Sequence, residues 1–166
     1  MKLLLSFFIF LFIGCGYKPS SYYAKNVITG KVYVELKVDI HNAQNAVYVK
    51  DAMNEMILHQ LKASLTDDKS IADTLVTVSL SSVTHSGIST NSNGYTNSYR
   101  TTVIISIIYQ KRDEDIKSLS VSDYYDYTVD TDSGITDQKK NTAVKIASTK
   151  ALSNIFSKIA INTMME

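Results

Sequence analysis

Cys15 is the residue best placed for covalent chemistry: it is the only cysteine in 166 residues, and it stands where an apolar run ends. With no second cysteine it cannot close an intrachain disulfide, so its thiol is left for modification. His41, His59 and His85 have no histidine or cysteine at ligand spacing, and each reads as an ordinary surface or boundary imidazole. The stretch Asp130-Thr131-Asp132-Ser133-Gly134 suggests a calcium loop, but its glycine comes one residue early and Asn141 stands where a bidentate glutamate is needed. Turn and cap chemistry accounts for those aspartates. The runs Asp67-Asp68 and Asp113-Glu114-Asp115 read as solvated turn charge. There is no glycine-rich phosphate loop and no G-x-S-x-G elbow, so no enzymatic activity, cofactor or metal is expected. Arg100, Lys111 and Arg112 flank one long apolar strand. They either solvate the strand ends, as Lys and Arg commonly do, or meet an anionic lipid head group.

The elements that would carry these residues begin with a leader. Lys2 precedes Leu3 to Ile13, an apolar run broken only by Ser6. Eleven residues at about 1.5 Å each reach only about half of a roughly 30 Å hydrocarbon core, so residues 1–14 read as an export signal to be cleaved rather than as an anchor. The remaining 152 residues carry 16 basic and 16 acidic side chains. A balance of zero argues against nucleic acid as a partner. Four of the five phenylalanines leave with the leader, and the rest of the chain relies on eleven tyrosines and no tryptophan. Tyrosine suits half-buried faces, where the ring packs and the hydroxyl finds a partner.

Residues 15–30 hold Pro19, two serines and Gly30 without apolar periodicity and read as a tether. From Lys31 the pattern alternates through Val32, Val34, Leu36, Val38 and Ile40, which predicts a strand with one buried face. Val49, Met53, Met56, Ile57, Gln60, Leu61 and Leu65 then fall on one helical stripe, with Asn42 or Asn45 as the cap. A second strand is predicted over residues 73–84. Residues 86–98, polar and carrying Asn93-Gly94, read as a long hairpin connection. The third strand, 100–110, contains VIISII, a run that predicts a central strand with apolar cover on both faces or a place in the middle of the sheet. A fourth runs from about 116 to 129, with Asp123 interrupting its apolar face. The last helix has Asp137 as cap and Val144, Ala147, Ala151, Leu152, Ile155, Phe156 and Ile159 as its stripe. The order β-α-β-β-β-α predicts a single α+β domain over 31–166, a two-layer sandwich. Its four-stranded, mostly antiparallel sheet has both helices on one face. The opposite face would present Thr77, Ser79, Ser81, Ser118, Ser120 and Ser122, with tyrosines among them.

Phe12-Ile13-Gly14-Cys15 resembles the lipobox of bacterial lipoproteins, in which the cysteine is acylated and becomes the first residue of the mature protein. That resemblance implies lipid attachment at Cys15 and, with Gly16 rather than Asp next, sorting to the outer membrane. The lipobox, the following Gly16-Tyr17, the tether, the order of elements and the Asn93-Gly94 turn before a Tyr-bearing strand together resemble the lipopolysaccharide-assembly lipoprotein family LptE. The resemblance implies a periplasm-facing protein that plugs and helps assemble an outer-membrane β-barrel translocon of the LptD type. It also implies binding of lipopolysaccharide on its way to the outer leaflet, for which Arg100, Lys111 and Arg112 are the contact candidates. The alternative is a periplasmic lipoprotein that binds another envelope component, a cell-wall or lipid fragment.

Overall fold

Alternating apolar residues from Lys31 and from Thr74 form neighbouring parallel strands in the computed structural model, which describes residues 27–38, 43–129 and 135–165. The leader, Cys15, Ile40, His41, Asn42 and the aspartates at 130 and 132 lie outside the described residues. The elements are β1 (Lys31–Lys37), α1 (Ala43–Met56), a π-helical turn (Ile57–Leu61), β2 (Ser64–Leu65), a 3-10 turn (Lys69–Ile71), β3 (Thr74–Thr90), β4 (Thr96–Lys111), β5 (Lys117–Thr128) and α2 (Asp137–Met165). They build a mixed sheet of order β2-β1-β3-β4-β5, in which β1 runs parallel to β2 and β3 while β3, β4 and β5 are antiparallel.

The sheet therefore has five strands where four were expected. The added strand comes from the predicted end of the first helix. Ile57 and Leu61 are buried as the helical stripe requires, but Lys62 turns left-handed at φ +55° and donates its N–H to Ile57 O. Residues 64–66 then take up the free edge of β1, Ser64 N donating to Gly30 O at 3.1 Å and Thr66 N to Val32 O at 3.0 Å. Leu65 still packs on the core, now from a strand. Asn45 lies within α1 instead of capping it. β1 stops at Lys37, opposite Ser79 and short of a bulge at Ser81, which leaves Val38 half exposed.

That bulge sets which side chains face the helices. Before it the inward residues of β3 are Val76, Val78 and Leu80; after it the parity reverses, and Val83 and His85 oppose the inward Val103 and Thr101 of β4. The long connection predicted over residues 86–98 is mostly strand, with only Asn91–Tyr95 between β3 and β4. Asn91 Oδ1 accepts from the N–H groups of Asn93 and Tyr95, each at 3.0 Å, and Gly94 takes φ +82°. Near this tip the β3 arm is exposed on both faces and the β4 arm is half-buried on both, so neither shows the alternation that marks a strand with one buried face.

α2 covers β4 and β5, and α1 covers β1 and β3, both on the same face. Val32, Val76, Val78, Ile105 and Ile107 from the sheet meet Val49 and Met53 of α1 and Val144, Leu152, Ile155 and Ile159 of α2, all fully buried. The fully buried Ala147 and Ala151 let α2 approach the sheet closely. Its cap is Thr136, one residue before the expected Asp137: Thr136 Oγ1 accepts from Lys139 N at 3.3 Å, and Asp137 pairs with Lys140 in the first turn. β4 lies in the middle of the sheet, and among the described residues cover on VIISII is one-sided. Val103, Ile105 and Ile107 are buried, whereas Ile104 and Ile108 are 38% and 44% exposed on the other face.

His85 Nδ1 lies 2.7 Å from Oγ1 of the fully buried Thr101. Partial desolvation where the ring sits against Thr101, and secondly the charge of Lys140, hold its imidazole below the ordinary value of 6.5. A group whose protonation is disfavoured in the fold contributes stability above the unfolded value and loses it as pH falls through the folded one. Denaturant midpoints measured at pH 7.5 and pH 5 are therefore expected to drop with acid, and to drop less in His85→Gln. An equal drop in both proteins would remove His85 as the cause.

Candidate functional site

The face of the sheet turned away from the helices is built by strand alternation and pairing register alone. Its side chains stand in rows across the strands: Lys37, Ser79, Ser106 and Ser120; then Ser82, Ile104 and Ser122; then Thr84, Thr102 and Tyr124; then Ser86, Arg100 and Asp126. The hydroxyls expected here, Thr77, Ser79, Ser81, Ser118, Ser120 and Ser122, all belong to strands β3 and β5 on this uncovered side, with Ser81 at the bulge. Several bond to their own sheet: Ser81 Oγ and Ser106 Oγ are 2.9 Å apart, and Ser79 Oγ donates to Ser106 O at 3.3 Å. Set among them are the exposed Ile104 and Ile108 and the half-exposed ring of Tyr124. The face is thus mixed, with small hydroxyls around isolated apolar side chains and few charges.

The three basic candidates lie where the strand ends put them. Lys111 and Arg112 share one end of β4; Arg100 is eleven residues away along the same strand, about 35 Å at the rise of a strand. Each is engaged within the chain. Arg100 makes a two-pronged contact with Asp126, Nε to Oδ1 and Nη2 to Oδ2 both at 2.7 Å, and its guanidinium lies 3.8 Å from the Tyr124 ring centre. The hydrogen bonds from Arg100 lower the Asp126 carboxyl below its ordinary value, and the same contact raises Arg100. Lys111 pairs with Glu114 at 2.9 Å. Arg112 Nη2 donates to Ala72 O at 2.9 Å and Ser70 O at 3.3 Å. One head group cannot reach all three.

Sequence reading did not anticipate Ile104, Ile108 or the Tyr124–Arg100–Asp126 cluster on this face. It also missed a row of near-parallel rings on the inner face beside the first turns of α2. There Tyr125 and Tyr127 lie 6.3 Å apart at 10°, and Tyr99 and Tyr127 lie 6.1 Å apart at 27°. The i, i+2 spacing of Tyr125 and Tyr127 is the signal that was available for that row. A cavity of about 430 Å3 beside them is lined also by Thr136, Gln138 and Lys139 at the start of α2. Among the described residues no group of three His, Cys, Asp or Glu could hold a metal ion, and no helix is long and apolar enough to cross a membrane.

Solved structures share this arrangement at low identity. Rare lipoprotein B from Shewanella oneidensis is 11% identical, with a TM-score of 0.53 over 81% of this chain and 96% of its own. Lipoprotein B from Nitrosomonas europaea is 8% identical, with a TM-score of 0.52 over 90% of this chain and 94% of its own. These establish a common fold. No curated protein matches the sequence. The model of the LptE family, described as lipopolysaccharide-assembly, matches residues 33–159. That span runs from β1 into the last turns of α2 and takes in the whole of the open face, so the chain belongs to the lipopolysaccharide-assembly family LptE.

Proposed function

We propose that this chain is a lipid-anchored protein of the outer membrane that seats in the lumen of a β-barrel lipopolysaccharide translocon of the LptD type. It helps that barrel assemble and assists delivery of lipopolysaccharide to the outer leaflet. The supporting observation is the uncovered, hydroxyl-rich sheet face in a chain of this family. A barrel lumen is polar, and a plug that meets it gains from small hydroxyls and isolated apolar contacts, where a broad hydrophobic patch would find nothing to bury against. Arg100, Lys111 and Arg112 remain the candidates for lipopolysaccharide contact, acting at separate points of the sheet. Residues 1–14 are the export signal, and residues 15–30 the lipidated tether, whose end is fastened to the domain by the buried Ile28 and by Thr74 Oγ1 donating to Thr29 O at 2.9 Å. Two or more acyl chains at Cys15 would hold the protein to the bilayer, since one chain alone binds only marginally.

The tagged full chain, solubilised in mild detergent, is expected to copurify with a β-barrel protein of several hundred residues. Recovery as a monomer would count against the plug. Cys15→Ser is expected to move the protein from the membrane to the soluble fraction, and an unchanged membrane fraction would refute lipidation.

A further inference from the structure

Among the described residues β5 is the outer strand of the sheet on the side away from β2, so one row of its backbone groups has no neighbouring strand among them. Backbone groups point to alternate sides along a strand, and those of Ser120, Ser122 and Tyr124 belong to the outward row. The middle of this row is already occupied by side chains. Lys158 Nζ donates to Ser120 O at 2.7 Å, and Lys150 Nζ to Tyr124 O at 3.5 Å. Asp123 Oδ1 accepts from Tyr124 N at 2.7 Å, and the other oxygen of that carboxylate accepts from Asn154 Nδ2 at 2.9 Å. Lys150, Asn154 and Lys158 are spaced by four and so form one ridge along α2. All three are exposed.

We propose that this ridge guards the β5 edge against strand pairing with a second copy of this chain. The edge is self-complementary. An antiparallel pair centred on Ser122 would set Ser122 opposite Ser122, Ser120 opposite Tyr124 and Ser118 opposite Asp126, with no like charges facing each other. The bonds of that pair would require Ser120 O, Tyr124 N and Tyr124 O, the three groups that α2 and Asp123 engage. An unguarded edge of twelve residues is a template for association, and Lys is the residue most often used to blunt one.

The test places Ser122→Cys in the otherwise unchanged full chain and in a Lys150→Ala/Asn154→Ala/Lys158→Ala background, each in detergent with a short bis-maleimide. Chains lacking Ser122→Cys report any reaction at Cys15. Cross-linked homodimer is expected to rise at least fivefold when the ridge is removed, with a matching dimer in light scattering. Equal cross-linking in both backgrounds, with both folded by circular dichroism, would overturn the proposal. So would adducts to a different protein in place of homodimer, which would make an extended segment of another chain the occupant. If the triple variant does not fold, Lys158→Met alone keeps the apolar stem and removes the donor. It is expected to raise cross-linking at least twofold, and no rise would overturn the guard.

Discussion

Ile105→Ala and Ile107→Ala are each expected to lower the free energy of unfolding by about 2–5 kcal/mol, whereas Ile104→Ser and Ile108→Ser lower it by about 1 kcal/mol or less. The four isoleucines stand within five residues of one strand, so propensity and local pairing are nearly shared, and only the face differs. Ile105 and Ile107 are fully buried in the contact between the sheet and the helices. Truncating either leaves a void whose walls relax only in part, which adds a cavity term to the lost transfer energy. Ile104 and Ile108 already have much of their surface in water on the uncovered side, and removing them vacates no packed space. A fold of this size is stable by only about 5–15 kcal/mol, so either inner substitution removes a large part of the total. Denaturant unfolding of the four variants under one condition reads the contrast directly. Equal losses on the two faces would mean that the outer side is covered as well.

The same alternation explains how much of the fold is legible in the residues alone. Val32 and Val34, Val76 and Val78, and Leu119 and Val121 announce their strands because one face is buried and the other is wet. The stripe from Val144 to Ile159 announces a helix for the matching reason at period 3.6. Where burial does not impose a pattern, the sequence is silent. The hairpin arms near residues 86–90 and 96–99 are held by cross-strand bonds and little else, so their polar composition reads as loop. β2 exists because Gly30 O and Val32 O offer acceptors more than thirty residues earlier in the chain, and Leu65 satisfies helical spacing equally well. The open hydroxyl face could be read from the serines of the second and fourth predicted strands. The Arg100–Asp126 contact could not, because it joins residues 26 apart and depends on a register that only the folded sheet defines. The reversal of parity at Ser81 likewise follows from a single extra residue that no periodicity marks.

If the open face is the one that docks, Ile104→Asp combined with Ile108→Asp is expected to cut recovery of the barrel partner at least tenfold while leaving the fold intact. Both positions lie amid small hydroxyls and are partly exposed, so in the isolated protein the new carboxylates stay hydrated and the loss of stability stays well below that of the inner isoleucine substitutions. In a docked complex the same carboxylates must shed water without a cation arranged to receive them. Leaving a charge unpaired in an interface costs about 2–5 kcal/mol, against about 1.4 kcal/mol for each factor of ten in affinity. The comparison that isolates the face is Lys145→Asp on α2. It changes the formal charge by the same two units at an exposed site on the helical side, so overall repulsion is matched while the location differs. Copurification in mild detergent, scored as barrel recovered per tagged chain, is expected to fall for the sheet pair and to hold for the helix variant. The reverse pattern would place the barrel against the helices and leave the hydroxyl face to solvent.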